Sequence, residues 1–152
     1  MTHEQLMLIT RTMPMKTIQV NGEDYLERYF VGELNGTQEW LHRFLRADSE
    51  RHLHSHPWDA DSTILCGEYT EEVKLDGWAT FEATWDEGRI NTITTDKLHR
   101  IVAVEPNTWT HMRVYPGREP HWYFINDKGV KTQMDTSPED WYLSCAPRTN
   151  QL

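Results

Sequence analysis

Short runs of alternating apolar and polar residues, punctuated by glycine-containing turns, fill most of this chain. Lys16–Val20 and Asp24–Val31 flank Asn21-Gly22, a pair that supplies the positive φ angles of a tight type I′ turn, so the segment predicts a β-hairpin. Asn35-Gly36 marks the next turn. Beyond it, Glu39–Arg46 predicts a strand with Trp40, His42 and Phe44 on one face and Leu41, Arg43 and Leu45 on the other. A loop around Ala47-Asp48-Ser49-Glu50 then leads into a histidine-rich segment. Further strands are expected at Ser62–Cys66, Glu68–Leu75, Trp78–Trp85, Ile90–Thr94, Leu98–Glu105, His111–Tyr115, His121–Asn126 and Val130–Met134. In Trp78–Trp85 the apolar side is Ala79, Phe81, Ala83 and Trp85. The first dozen residues predict a short helical or irregular segment able to dock through Leu6, Met7 and Ile9. The tail offers one short helix, capped by Ser137 with Pro138 at its first position. So many strands at regular spacing with so little helix predict an all-β, antiparallel sandwich or barrel. It forms one domain over residues 1–152, with its core over about 16–134.

Composition narrows the function classes. A net charge of −9 opposes nucleic-acid binding, which relies on Lys and Arg displacing counterions from phosphates. A small molecule is the expected partner. Apolar runs fall far short of the roughly 20 residues that span a bilayer, and the start has no basic flank or long apolar stretch, so neither membrane anchoring nor secretion is expected. Two cysteines, Cys66 and Cys145, make no disulfide framework, which fits a reducing cytoplasm. Seven tryptophans suit the half-buried surfaces of a barrel and the walls of a ligand cavity. No nucleophile elbow, phosphate-binding glycine loop or dinucleotide fingerprint is present.

The chemistry concentrates in two segments, Arg51-His52-Leu53-His54-Ser55-His56-Pro57-Trp58 and Pro106-Asn107-Thr108-Trp109-Thr110-His111. In an extended strand His54 and His56 point the same way, about 6.6 Å apart at their Cα atoms, so both rings can reach one ion. His111 supplies the third imidazole. His52 lies on the same face but too far along for all three to converge, so it becomes a wall residue, or replaces His56 if the register differs. Alone, two histidines at i and i+2 arise by chance in a β-protein; a third at the end of a proline turn argues for a divalent transition metal. Iron, zinc, nickel, copper and manganese all accept imidazole. Arg113, two positions beyond His111, is expected on the same face, where it would anchor an anionic substrate or form an internal ion pair with Glu105, Glu68 or Asp61. Tyr69 is a candidate proton donor or packing residue, and Trp58 and Trp109 are candidates to cover the mouth of the site and touch substrate. His42, His99 and His121 fall in predicted strands and read as hydrogen-bonded structural residues.

The two segments resemble the two sequence motifs of the cupin superfamily, small β-barrel proteins whose first motif carries H-x-H and whose second carries P-x-G-x-x-H. His54-Ser55-His56-Pro57, followed by Ile64-Leu65-Cys66-Gly67, fits the first with its closing glycine, and Pro106 to His111 fits the second. The likeness covers residues 40–125, with Asp48, Thr108 and Tyr115 standing where the motifs carry glycine, glycine and asparagine. The resemblance implies an antiparallel double-stranded β-helix, or jelly-roll, barrel with the site inside one end. The first motif's glutamate ligand falls on Ala60 or Asp61, which makes Asp61 a candidate fourth ligand. Without it the site is a three-histidine one, as in the thiol dioxygenase branch. That branch implies Fe(II) and a dioxygenase-like oxidoreductase; other branches imply an isomerase or lyase, or a binding protein with a structural metal. A homodimer is expected through a sheet edge, because Tyr25, Tyr29, Phe30 and Val31 offer more apolar surface than one barrel face requires.

Overall fold

The structure, a computed structural model, describes residues 1–48, 52–136 and 141–144. It opens with helix α1 (His3–Thr10), started by a capping box in which the Thr2 hydroxyl accepts from the Gln5 backbone N–H and the Gln5 side chain accepts from that of Thr2. The strands are β1 (Met15–Val20), β2 (Glu23–Leu34), β3 (Thr37–Phe44), β4 (Leu53–His54), β5 (Ala60–Cys66), β6 (Glu68–Lys74), β7 (Phe81–Asp86), β8 (Ile90–Ile93), β9 (Leu98–Val104), β10 (Thr108–Val114), β11 (His121–Ile125) and β12 (Lys131–Asp135). A short 3₁₀ turn covers Trp141–Ser144.

The strands form two six-stranded antiparallel sheets, ordered β1-β2-β3-β10-β5-β8 and β12-β11-β4-β9-β6-β7. Asn21-Gly22 and Asn35-Gly36 both hold positive φ, as the hairpin reading requires. At Gly67, φ is +80° and an added Cβ would collide with Thr108. Only glycine lets the chain pass there from β5 in the first sheet to β6 in the second.

In the first sheet the inward residues run in cross-strand rows. Leu26, Phe44 and Thr108 form one, Arg28, His42, Thr110 and Ile64 the next, and Trp40, Met112 and Ser62 another. Apolar residues gather into two inner groups, one around Tyr25, Phe44, Ile64, Tyr69 and Ile101, the other around Trp40, Trp58, Ala60, Ile93 and Met112. A cavity of about 320 Å³ lies between them, bordered by residues of both.

Several expectations change. Helix α1 docks through Leu6 and Thr10, one turn apart, while Met7 and Ile9 are exposed. Leu6 packs there with Tyr29, Leu41 and Trp109 on the outer face of the first sheet. Tyr29 is buried in that group and Tyr25 among the inner residues Leu26, Phe44 and Tyr69, while Val31 is exposed. The histidine strand shrinks to two residues, and Trp78 stays exposed ahead of β7. The expected tail helix at Ser137 and Cys145 lie outside the described residues. No helix among the described residues is long and apolar enough to cross a membrane.

Candidate metal centre

Three histidines converge on the cavity, and they are His54, His56 and His99. His54 and His99 are direct cross-strand partners on β4 and β9, so their side chains leave the second sheet on the same, inward face. His56 follows two residues after His54, where Pro57 favours extended backbone. The three rings sit 5.1–5.2 Å apart at their centroids, and one ligand atom from each lies within 4.8 Å of the others. His56 Nε2 and His99 Nε2 are 2.9 Å apart. Two nitrogens each about 2.1 Å from one ion, at right angles, would be about 3 Å apart. The donor set fits a divalent transition metal.

The remaining ring nitrogens make the fit stricter. His99 Nδ1 lies 2.7 Å from Glu71 Oε2, and His54 Nδ1 lies 3.1 Å from the His52 carbonyl oxygen. Both acceptors require N–H on Nδ1, which leaves Nε2 of each ring with its lone pair. Carboxylate or carbonyl behind a ligating imidazole is the arrangement that orients metal-binding histidines. Glu71 is fully buried and its other oxygen accepts from Lys97 Nζ at 2.6 Å, Trp85 Nε1 at 3.0 Å and Asn91 Nδ2 at 3.2 Å. Burial alone would raise this carboxyl, but the hydrogen bond from His99 and the charge and hydrogen bond of Lys97 outweigh it and hold the group down at about 2. It is a carboxylate with a donor on each oxygen.

Other cavity residues add polar groups. Tyr69, pushed well above its ordinary range by burial and then by the Glu71 charge, keeps its phenolic proton and accepts from Asn91 Nδ2 at 2.8 Å. Trp58 is stacked on His56 at 4.4 Å between centroids and forms part of the wall. From the opposite sheet come Arg28 and His42. His42 is held well below its ordinary value by burial, reinforced by its proximity to Arg28 and His111, so its ring is neutral.

The sequence-derived set is therefore half assembled. His54, His56, Tyr69 and Trp58 border the cavity. His111 does not: β10 turns Thr110 and Met112 inward, so His111 faces outward, 3.3 Å from Glu39. Arg113 shares that outer face, with its side chain 51% exposed and 3.4 Å from the same glutamate, so the expected anchor for an anion is a surface ion pair. Trp109 is fully buried, but beneath α1, stacked on Tyr29 and donating through Nε1 to His3 Nδ1. Asp61 also points away from the cavity, accepting from Thr92 and Tyr115 hydroxyls, because its neighbours Ala60 and Ser62 take the inward positions on β5. His52 stacks on Phe124 at the surface and contributes only its carbonyl. The sequence places His99 among the structural histidines and does not single out Glu71. Neither carries a local motif; only the pairing of β4, β9 and β6 brings them together.

No family model and no curated protein matches the chain. Solved structures do. The first is Streptomyces albus HEPD with substrate 2-hydroxyethylphosphonate and Fe(II) bound, at TM-score 0.59 and 12% identity over 70% of this chain and 25% of that one. The second is FeII HppE, at TM-score 0.55 and 12% identity over 68% of this chain and 56% of that one. Hydroxypropylphosphonic acid epoxidase from S. wedmorenis follows at TM-score 0.50 and 14% identity, over 68% and 56%. The chain thus spans from a quarter to little more than half the length of these proteins. The likeness is one of fold, and the fold is the cupin barrel.

Proposed function

We propose that this protein is a metal-dependent enzyme acting on a small molecule, with His54, His56 and His99 holding one divalent transition metal. The observation that carries this reading is the convergence of three imidazoles on a cavity wall, two of them with the far ring nitrogen already committed to an acceptor. Three protein ligands leave coordination positions open, whereas a purely structural ion is closed in by four. When bound, the metal supplies Lewis acidity and a redox centre. Fe(II)-dependent oxidation is the reaction class we put first, and the Fe(II)-bound solved structures of like fold support iron as the first metal to test.

The chain's own residues do the rest. Glu71 and the His52 carbonyl fix two rings in the ligating tautomer. Trp58 keeps His56 in place by stacking and, with Met112 and Ile93, keeps the wall apolar. Tyr69 accepts from Asn91 and so has its O–H to donate toward a polar substrate group. A carbonyl-polarising isomerase or lyase would use the same ligands without dioxygen.

Elemental analysis of untagged protein tests the ligand set, expecting one metal per chain that is lost in His99→Ala and kept in His111→Ala. Anaerobic Fe(II) loading followed by nitric oxide should give an iron–nitrosyl paramagnetic signal. Stoichiometric metal in His99→Ala would overturn the assignment, and iron closed to nitric oxide would overturn the enzymatic reading.

A further inference from the structure

We propose that the cavity takes a small molecule with an uncharged hydroxyl group on an apolar body, and that His42 and Thr110, on the sheet opposite the three histidines, receive that hydroxyl. The inference deepens the reading above and rests on it for the metal on the far side of the cavity.

The two residues are direct cross-strand partners on β3 and β10, so both side chains leave the first sheet toward the barrel interior. His42 borders the same cavity as His54, His56 and His99. It is 4% exposed, and its Nε2 has no hydrogen-bond partner among the described residues. Thr110 is fully buried with an equally unpartnered hydroxyl. Buried polar atoms without partners are rare, and two of them in one cross-strand pair that reaches a cavity point to a guest that completes them. Burial keeps the His42 ring neutral. A neutral imidazole offers one N–H and one lone pair, and a threonine hydroxyl either donates or accepts. A guest hydroxyl does both at once, so it satisfies the pair whichever ring nitrogen carries the proton.

The charged groups nearby argue against an ion at this wall. Arg28, Arg100 and Arg118 border the cavity, and each already has a partner within the protein. Arg100 is matched by Glu72 at 2.8 Å. Asp48, also on the border, accepts the Ile101 backbone N–H. A charged group brought to His42 would lose its hydration without gaining an unpaired counter-ion, whereas an uncharged hydroxyl loses far less. Leu26, Phe44, Trp58, Ile93, Ile101 and Met112 line the same cavity and suit an apolar body. A volume of about 320 Å³ limits the guest to a small molecule.

The test uses the full chain at mildly alkaline pH, stripped of metal and, separately, reloaded with Zn(II), which is diamagnetic and keeps the His42 ring-proton resonances readable. The probes are 1-butanol and cyclohexanol, with butyrate and cyclohexanecarboxylate as charged counterparts, and binding is followed by titrating those resonances. One of the alcohols should saturate, move the His42 resonances and, in the metal-free chain, bind roughly tenfold or more tighter than its carboxylate counterpart, because the ion loses more hydration. Thr110→Val, which keeps the shape and removes the hydroxyl, should weaken the alcohol roughly threefold to tenfold, the worth of one neutral hydrogen bond. His42→Phe should weaken it at least as much, and His42→Gln, which keeps a donor and an acceptor, should recover most of that loss. The proposal is overturned if neither alcohol binds either form, if the carboxylates bind the metal-free chain as tightly as the alcohols, or if Thr110→Val and His42→Phe both bind alcohol like the parent. His42 resonances that stay still at saturation would place the alcohol elsewhere and overturn it too. Alcohol binding in a protein that takes up no metal would uphold this site while defeating the metal reading; metal uptake without alcohol binding would do the reverse.

Discussion

The barrel carries two clusters of histidine, arginine or lysine, and carboxylate, and they differ in what surrounds them. Around His99 on the inner face of the second sheet, Glu71 and Lys97 are nearly inaccessible, and each carboxylate oxygen has a donor within 2.6–3.2 Å. Around His111 on the outer face of the first sheet, Glu39 meets His111 and Arg113 at 3.3 and 3.4 Å, with side chains 29–51% exposed. Water can replace every contact in the outer cluster and none in the inner one. Like residue types therefore build a preorganised site in one place and a solvated surface in the other.

The sharpest way to break that comparison is to exchange the histidines. His99→Ala is expected to abolish stoichiometric metal, and His111→Ala to leave it intact, by elemental analysis of the folded variants. Next comes the carboxylate behind each. Glu71→Gln leaves Lys97 buried without its counter-charge and should cost about 3–5 kcal/mol in denaturant unfolding, with roughly tenfold to hundredfold weaker metal binding. Glu39→Gln should cost no more than about 1 kcal/mol and leave metal affinity unchanged.

A smaller effect separates inner from outer in pH. Folded His42 titrates below its ordinary 6.5, facing Arg28 and His111, so below 6.5 the unfolded chain binds more protons than the folded one. The stability it contributes is complete above pH 6.5 and is lost as pH falls through the window beneath, at up to about 1.4 kcal/mol per pH unit. His42→Gln should flatten that part of a stability-against-pH curve; an unchanged slope would contradict the burial argument. Smallest of all, Arg113→Ala should shift stability by less than about 1 kcal/mol and leave metal binding alone, since its ion pair is exposed.

Much of this was legible in the chain. Asn-Gly pairs, glycine corners and alternating runs determine where the strands fall along the chain, because turn chemistry and side-chain alternation are local properties of the backbone. His54 and His56 follow for the same reason: two residues apart in extended chain, they share a face. The alternation along β10 also held a warning, for Met112 and Val114 make an apolar face while His111 shares the other with Arg113. Motif spacing pointed to His111, and one residue of register decides the matter, since successive side chains take opposite faces.

What only the tertiary structure decided is which strands lie beside β4. His99 is 45 residues beyond His54 and Glu71 lies 28 before His99, and nothing in their local sequence marks them as a set. They meet because β4 pairs with β9 and β9 with β6. Long-range pairing is chosen by burial summed over whole sheets, so a site assembled across strands has no short sequence signature, whereas a site within one strand does.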